Sequence, residues 1–104
     1  MINHNDLKQQ IHAREAEEKR ILTEHYTSEC EKEFMHAVES GSSFPIIVKV
    51  PIHAADKDKR GATIIRTFFE EHGYRSIRTS YETGGRVLVE IHENGTNLTR
   101  MNFR

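Results

Sequence analysis

The sequence is poor in the residues that make small folds recognisable: it has one cysteine, two prolines and no tryptophan. It also has no apolar run approaching the ~20 residues that a membrane-spanning helix needs. A single cysteine, Cys30, excludes a disulfide framework within the chain and fits a reducing compartment, so the cytoplasm is the expected location. Met1-Ile2-Asn3-His4 opens into charge where a secretory signal would place its apolar region. An excess of one charge is missing too: 15 Lys and Arg stand against 16 Asp and Glu, for a formal net charge of -1. That balance excludes strong non-specific attraction of the whole molecule to nucleic acid or to an anionic surface. Hydrophobic residues make up 36% of the 104, enough for one thin core, and a single domain over residues 1–104 is expected.

What is present is patterned. From Asn5 to Glu39 there is no Pro or Gly, and helix formers dominate, which predicts one long helix over 5–39, or two nearly continuous ones, capped by Asn5 or Asp6 and ended by Gly41. Its apolar positions are sparse before Ile21. They then run Leu22, Tyr26, Cys30, Phe34 and Val38, a stripe of four-residue steps that winds around the axis because each step advances 400°. The second half is therefore the part that packs, and the span from His12 to Arg20 projects or meets a partner.

Residues 44–92 read as a β-α-β-β unit. Phe44, Ile46, Val48, Val50 and Ile52 share one face of a first strand. Asp56 or Asp58 caps a second helix carrying Ala62, Ile64, Ile65, Phe68 and Phe69. Tyr74 to Tyr81 alternates, with Ile77, Thr79 and Tyr81 on one face and Tyr74, Ser76, Arg78 and Ser80 on the other. Gly84-Gly85 then turns a hairpin into Val87, Val89 and Ile91. A strand-helix-strand unit predicts parallel first and second strands, and hence a three-stranded mixed sheet with the helices on one face. Residues 96–104 form an edge strand, making the sheet four-stranded, or a frayed tail. The fold class is α+β.

Candidate chemistry is scattered. His53 and Asp56 lie at the carboxyl end of the first strand, where open sheets often hold ligands, but no nucleophile accompanies them and no catalytic residue is assigned. Glu29, Glu33 and His36 share a helix face, yet the paired motif of a metal bundle is absent, and no metal or cofactor is expected. Lys57, Lys59 and Arg60 at the start of the second helix offer a weak phosphate cradle. Cys30 reads as a small buried hydrophobe.

Resolved along the chain, the charge is bipolar: residues 1–40 hold nine acids and five bases, and residues 41–104 hold seven acids and ten bases. Lys49, Tyr74, Arg78 and Arg86 on the outward face of the sheet make a candidate nucleic-acid surface, cations with one aromatic, whose field Glu82 and Glu90 dilute. On the helix, Ile11, Arg14, Glu18, Ile21, Leu22 and His25 make a candidate protein-binding surface, because so long a helix exceeds what one small domain can bury.

The layout of a charged opening helix before a compact core, with Phe68-Phe69-Glu70-Glu71-His72-Gly73-Tyr74, Gly84-Gly85 and Val87-Leu88-Val89-Glu90-Ile91, resembles the small accessory proteins of bacteriophages. The resemblance implies a protein that occupies or inhibits a host or virion protein, and it assigns no residue a role. The expected function is thus a non-enzymatic protein-binding module acting through the first helix, with self-association there as a further expectation. A nucleic-acid-binding regulator is the alternative.

Overall fold

A computed structural model describes residues 1–98. Helix α1 spans His4–Glu39, strand β1 Ile46–Pro51, helix α2 Gly61–Glu71, strand β2 Ser76–Glu82 and strand β3 Arg86–His92. The α+β class and the α-β-α-β-β order are as the sequence predicts. The cap of α1 is not: Asn3, rather than Asn5 or Asp6, precedes the helix in extended conformation, and its side chain accepts a hydrogen bond from the Asp6 amide. At the other end Ser40 closes the last turn, and Gly41 takes the left-handed conformation at φ 88°.

The sheet corrects the expected mixed pairing. Its order is β1-β3-β2, and both neighbouring pairs are antiparallel. Strands β1 and β2 do run in the same direction, but the hairpin strand β3 lies between them. The residues explain the choice. Strand β3 carries the most continuous apolar face, Val87, Val89 and Ile91, each fully buried, whereas β1 ends on Pro51, which lacks an amide and is tolerated on an edge. Gly84 and Gly85, at φ 109° and 81°, supply the two positive-φ positions of the β2–β3 hairpin. The expected edge strand or tail at 96–104 lies outside the described residues from 99 onward.

One face of the sheet is covered. Ile46, Val48 and Val50 of β1, Ile77 of β2 and the three β3 residues meet Leu22, Tyr26 and Cys30 of α1 and Ile65 and Phe69 of α2. Phe44 and Ile52 do not complete the β1 face: Phe44 is exposed and Ile52 half-buried. The stripe on α1 follows its predicted drift. After four steps it has turned by about 160°, so Phe34 is half-buried and Val38 faces solvent. Tyr74 corrects the alternation read for the second strand: it precedes β2 and turns to the helices, where its ring meets Phe34 and Phe69 edge-on at 5.5 and 5.6 Å.

A polar cluster fixes α1 to the β1–α2 loop. The Tyr26 hydroxyl, fully buried, donates to Asp56 Oδ2 at 2.7 Å and accepts from the His53 amide at 3.1 Å. The same carboxylate caps α2, its Oδ1 accepting from the Arg60 amide at 2.8 Å and its Oδ2 from the Gly61 amide at 2.9 Å. Burial opposes the charge on Asp56, but these donors outweigh it and hold its pKa below the ordinary aspartate value. Burial, reinforced by Asp56, pushes the Tyr26 phenol up to about 12. Gly61 is there because the Tyr26 ring lies on it: a Cβ would meet Tyr26 Cζ at 2.7 Å.

Two consequences are measurable by denaturant unfolding. Tyr26→Phe strips a hydrogen bond from a buried carboxylate and should cost about 1.5–3 kcal/mol. The pH profile separates the two partners. Asp56, whose folded pKa is depressed, gives its full contribution above about pH 4 and loses it as pH falls through the lower folded value. Tyr26, whose folded pKa is raised, contributes fully below about pH 10. That contribution is lost as pH rises toward about 12, and Tyr26→Phe should remove this alkaline limb. Gly61→Ala, a change that raises helix propensity by up to about 1 kcal/mol at ordinary sites, should here destabilise by about 1–3 kcal/mol through the clash with Tyr26.

Candidate functional site

The loop after β1 is the first place to look for chemistry. His53 packs edge-on against His25 at 5.0 Å, and His25 in turn donates from Nε2 to the Pro51 carbonyl at 2.8 Å. His53 Nδ1 accepts from the Ala55 amide at 3.0 Å, which places the proton of its neutral ring on Nε2. Tyr26 and Asp56 supply the acid and base types that catalysis would need. Their pKa values are, however, driven apart, one to about 12 and the other below the aspartate range, and every one of their oxygens is engaged in holding the loop. The cluster is a structural clasp.

The start of α2 offers no phosphate cradle beside Lys57, Lys59 and Arg60. The Arg60 and Gly61 amides are taken by Asp56, and the Ala62 amide donates to the Tyr81 hydroxyl at 3.2 Å. Tyr81 also donates to the Lys59 carbonyl at 2.6 Å, across a turn in which Lys59 adopts φ 55°. Two tyrosines thus pin one loop from opposite sides. On α1, Glu29 pairs with Lys32 at 3.4 Å, and no group of three or more His, Cys, Asp or Glu able to hold a metal ion is gathered among the described residues. Cys30 is fully buried, and burial pushes its thiol up to about 12.

The outer face of the sheet brings Lys49, Arg78 and Arg86 together as the alternation predicts, but with carboxylates between them. Glu82 lies 3.4 Å from Lys49 and 3.6 Å from Arg86, and Glu90 lies 3.5 Å from Arg78 and 3.7 Å from His92. The register explains this: Glu82 faces Arg86 across the hairpin and Glu90 faces Arg78. Tyr74, the aromatic assigned to this surface, belongs to the opposite side of the sheet. A nucleic-acid face thus has neither free cations nor a stacking ring at these four positions, because sequence alternation reports the face of a residue and not its cross-strand partner.

The projecting helix is different. Along His4–Arg20 no residue is buried, although the segment is helical throughout. The molecule is accordingly long, 58 Å by 31 by 29 Å, with a radius of gyration of 16.9 Å. A compact chain of this length would have about 13 Å. Of the six residues assigned to a protein-binding surface, Arg14 is exposed and Ile11, Glu18, Ile21 and His25 are half-buried. Leu22 must be removed from the set: it is fully buried in the core, since it opens the packed stripe one position after Ile21. Leu7 was missed, an exposed leucine one turn before Ile11. Glu17, Arg20 and Glu24 form an ion-paired run on the same segment, with Arg20 bridging both carboxylates. No helix among the described residues is long and apolar enough to cross a membrane.

No family model matches the sequence, and comparison with curated proteins and with solved structures finds no match either.

The pairing on the outer face has a direct test. Replacing both carboxylates, Glu82→Gln with Glu90→Gln, should raise affinity for a labelled single-stranded DNA several-fold in a fluorescence-anisotropy titration. The gain should fall steeply with added salt. Unchanged binding would mean that these carboxylates do not mask the cations.

Proposed function

We propose that the protein is a non-enzymatic binding module that presents the first half of α1 to another protein. The observation that carries this reading is the unburied segment His4–Arg20. A helical segment that adds nothing to the core presents an ordered surface free to meet a partner. The segment has a cap at Asn3 and an ion pair between Glu17 and Arg20 that continues to Glu24, both of which add to the helix stability that the anchored half supplies. A pre-ordered surface loses little entropy on association, which favours a specific contact over a disordered tail. In the setting that the bacteriophage resemblance implies, the partner is a host or virion protein met in the cytoplasm.

Site-specific photo-crosslinking tests the reading. A photoreactive residue at Arg14 should give protein adducts in cells, whereas one at the solvent-facing Ser80 of β2 should give few. Adducts from Ser80 with none from Arg14 would move the function to the sheet and end the case for the helix.

A further inference from the structure

From Leu7 the exposed helix carries a repeat in alternating steps of four and three: Leu7, Ile11, Arg14, Glu18, Ile21 and His25. That is the seam spacing of two helices that wind around each other. Ile11, Glu18, Ile21 and His25 on it are only partly exposed, and the core residues Leu22, Tyr26 and Cys30 lie on a neighbouring face, so the seam runs beside the packed face, projects beyond the domain as far as Glu18, and meets Pro51 and His53 at His25. The order of residues along it is unusual. Read from either end toward Ala16, it runs isoleucine and then a charge, with Arg14 on one side and Glu18 on the other.

We infer that α1 pairs with a second copy of itself in an antiparallel arrangement, about a two-fold axis beside Ala16. This rests on the reading of the projecting helix as a binding surface, and it names the occupant. Antiparallel pairing about that axis sets Ile11 against Ile21 of the other copy, Arg14 against Glu18, and Leu7 against His25, and the two-fold axis repeats every contact. A parallel pair would instead set Arg14 on Arg14 and Glu18 on Glu18, which like-charge repulsion disfavours. The two charges are also at liberty to do this. The ion pairs on this segment join Glu17, Arg20 and Glu24 and leave out Arg14 and Glu18. Their own four-residue spacing, with the cation toward the N-terminus, is the weaker order for a bond within one helix. An open hollow of about 740 Å³ continues the seam, lined by Ile21, His25, Ser28, His53 and Phe68 among others, and it takes the first turn of the second helix with its exposed Leu7. Two charged layers at the centre and two apolar layers beyond them give a specific but modest, concentration-dependent dimer.

Charge reversal decides the matter. Sedimentation equilibrium from about 10 to about 500 μM should give a monomer–dimer equilibrium for the wild type. Arg14→Glu alone and Glu18→Arg alone should each weaken it about tenfold or more. The double variant R14E/E18R should restore it, and so should mixing the two single variants, which then pair only with each other. In the second arm, Ile11→Cys mixed with Ile21→Cys should form an intermolecular disulfide on mild oxidation, and Ile11→Cys alone should not. All these sites are at least partly exposed, and circular dichroism reports whether each variant keeps its fold. A wild type that stays monomeric at the highest concentration overturns self-pairing, and so does a disulfide formed by Ile11→Cys alone. Neither result touches the wider reading, which fails only if Ser80 gives adducts in cells and Arg14 gives none, to a second copy or to any other protein.

Discussion

The carboxylate of Asp56 is the point on which the architecture turns. It sits 30 residues from Tyr26, and the bond between them joins the long helix to the loop that starts the second one. Remove the carboxylate and two things come apart together: the α2 amides lose their cap and the Tyr26 hydroxyl loses its acceptor, leaving α1 tied to this region by the His53 amide and by the bond of His25 to the Pro51 carbonyl. The close approach of Tyr26 to Gly61 belongs to the same constraint, since the ring can reach the carboxylate only by lying across a residue with no side chain. A buried, paired carboxylate costs desolvation, and here that cost is offset by donors from three separate residues. In return it supplies direction, fixing where α1 crosses the sheet in a way that non-directional apolar packing alone would leave looser.

Much of this fold is legible in the sequence because periodicity is a local property. The long helix, the stripe from Leu22, the Gly84-Gly85 hairpin and the alternating Val87, Val89 and Ile91 all follow from spacing alone, and each takes its expected form. What the sequence hides depends on which segments become neighbours. The insertion of β3 between β1 and β2 is a competition among edges, decided by which strand has two faces of backbone worth pairing, and alternation within one strand cannot report it. Asp56 was readable as a helix cap, but its bond to Tyr26 joins segments with no local relation.

The same distinction governs the candidate site. Lys49, Arg78 and Arg86 were placed on the right face and Tyr74 on the wrong one, because Tyr74 follows the turn after α2 and has not yet entered the strand. That Glu82 and Glu90 dilute the cations is legible in composition, and the register of the hairpin adds which cation each one faces. On the helix, composition correctly marks the first half as uncovered, and the core claims only Leu22 from the residues proposed there. A single position separates Leu22 from Ile21, about 100° around the axis, and that rotation divides the core from the surface.

The projecting half of α1 draws its order from the half that is anchored. Beginning a helix is costly and extending one is cheap, so a segment continuous with Leu22, Tyr26 and Cys30 never has to nucleate. The Tyr26–Asp56 clasp therefore acts at a distance: by fixing the base of the helix, it keeps about 25 Å of surface pre-formed and aimed in one direction beyond the domain. This also accounts for the thin apolar content of the chain. A helix held in this way needs no core along His4–Arg20, and its side chains there are free of packing constraints. The nearly neutral net charge has a different origin: the excess of acids over residues 1–40 is offset by the excess of bases over residues 41–104, so each part keeps a field that the sum conceals.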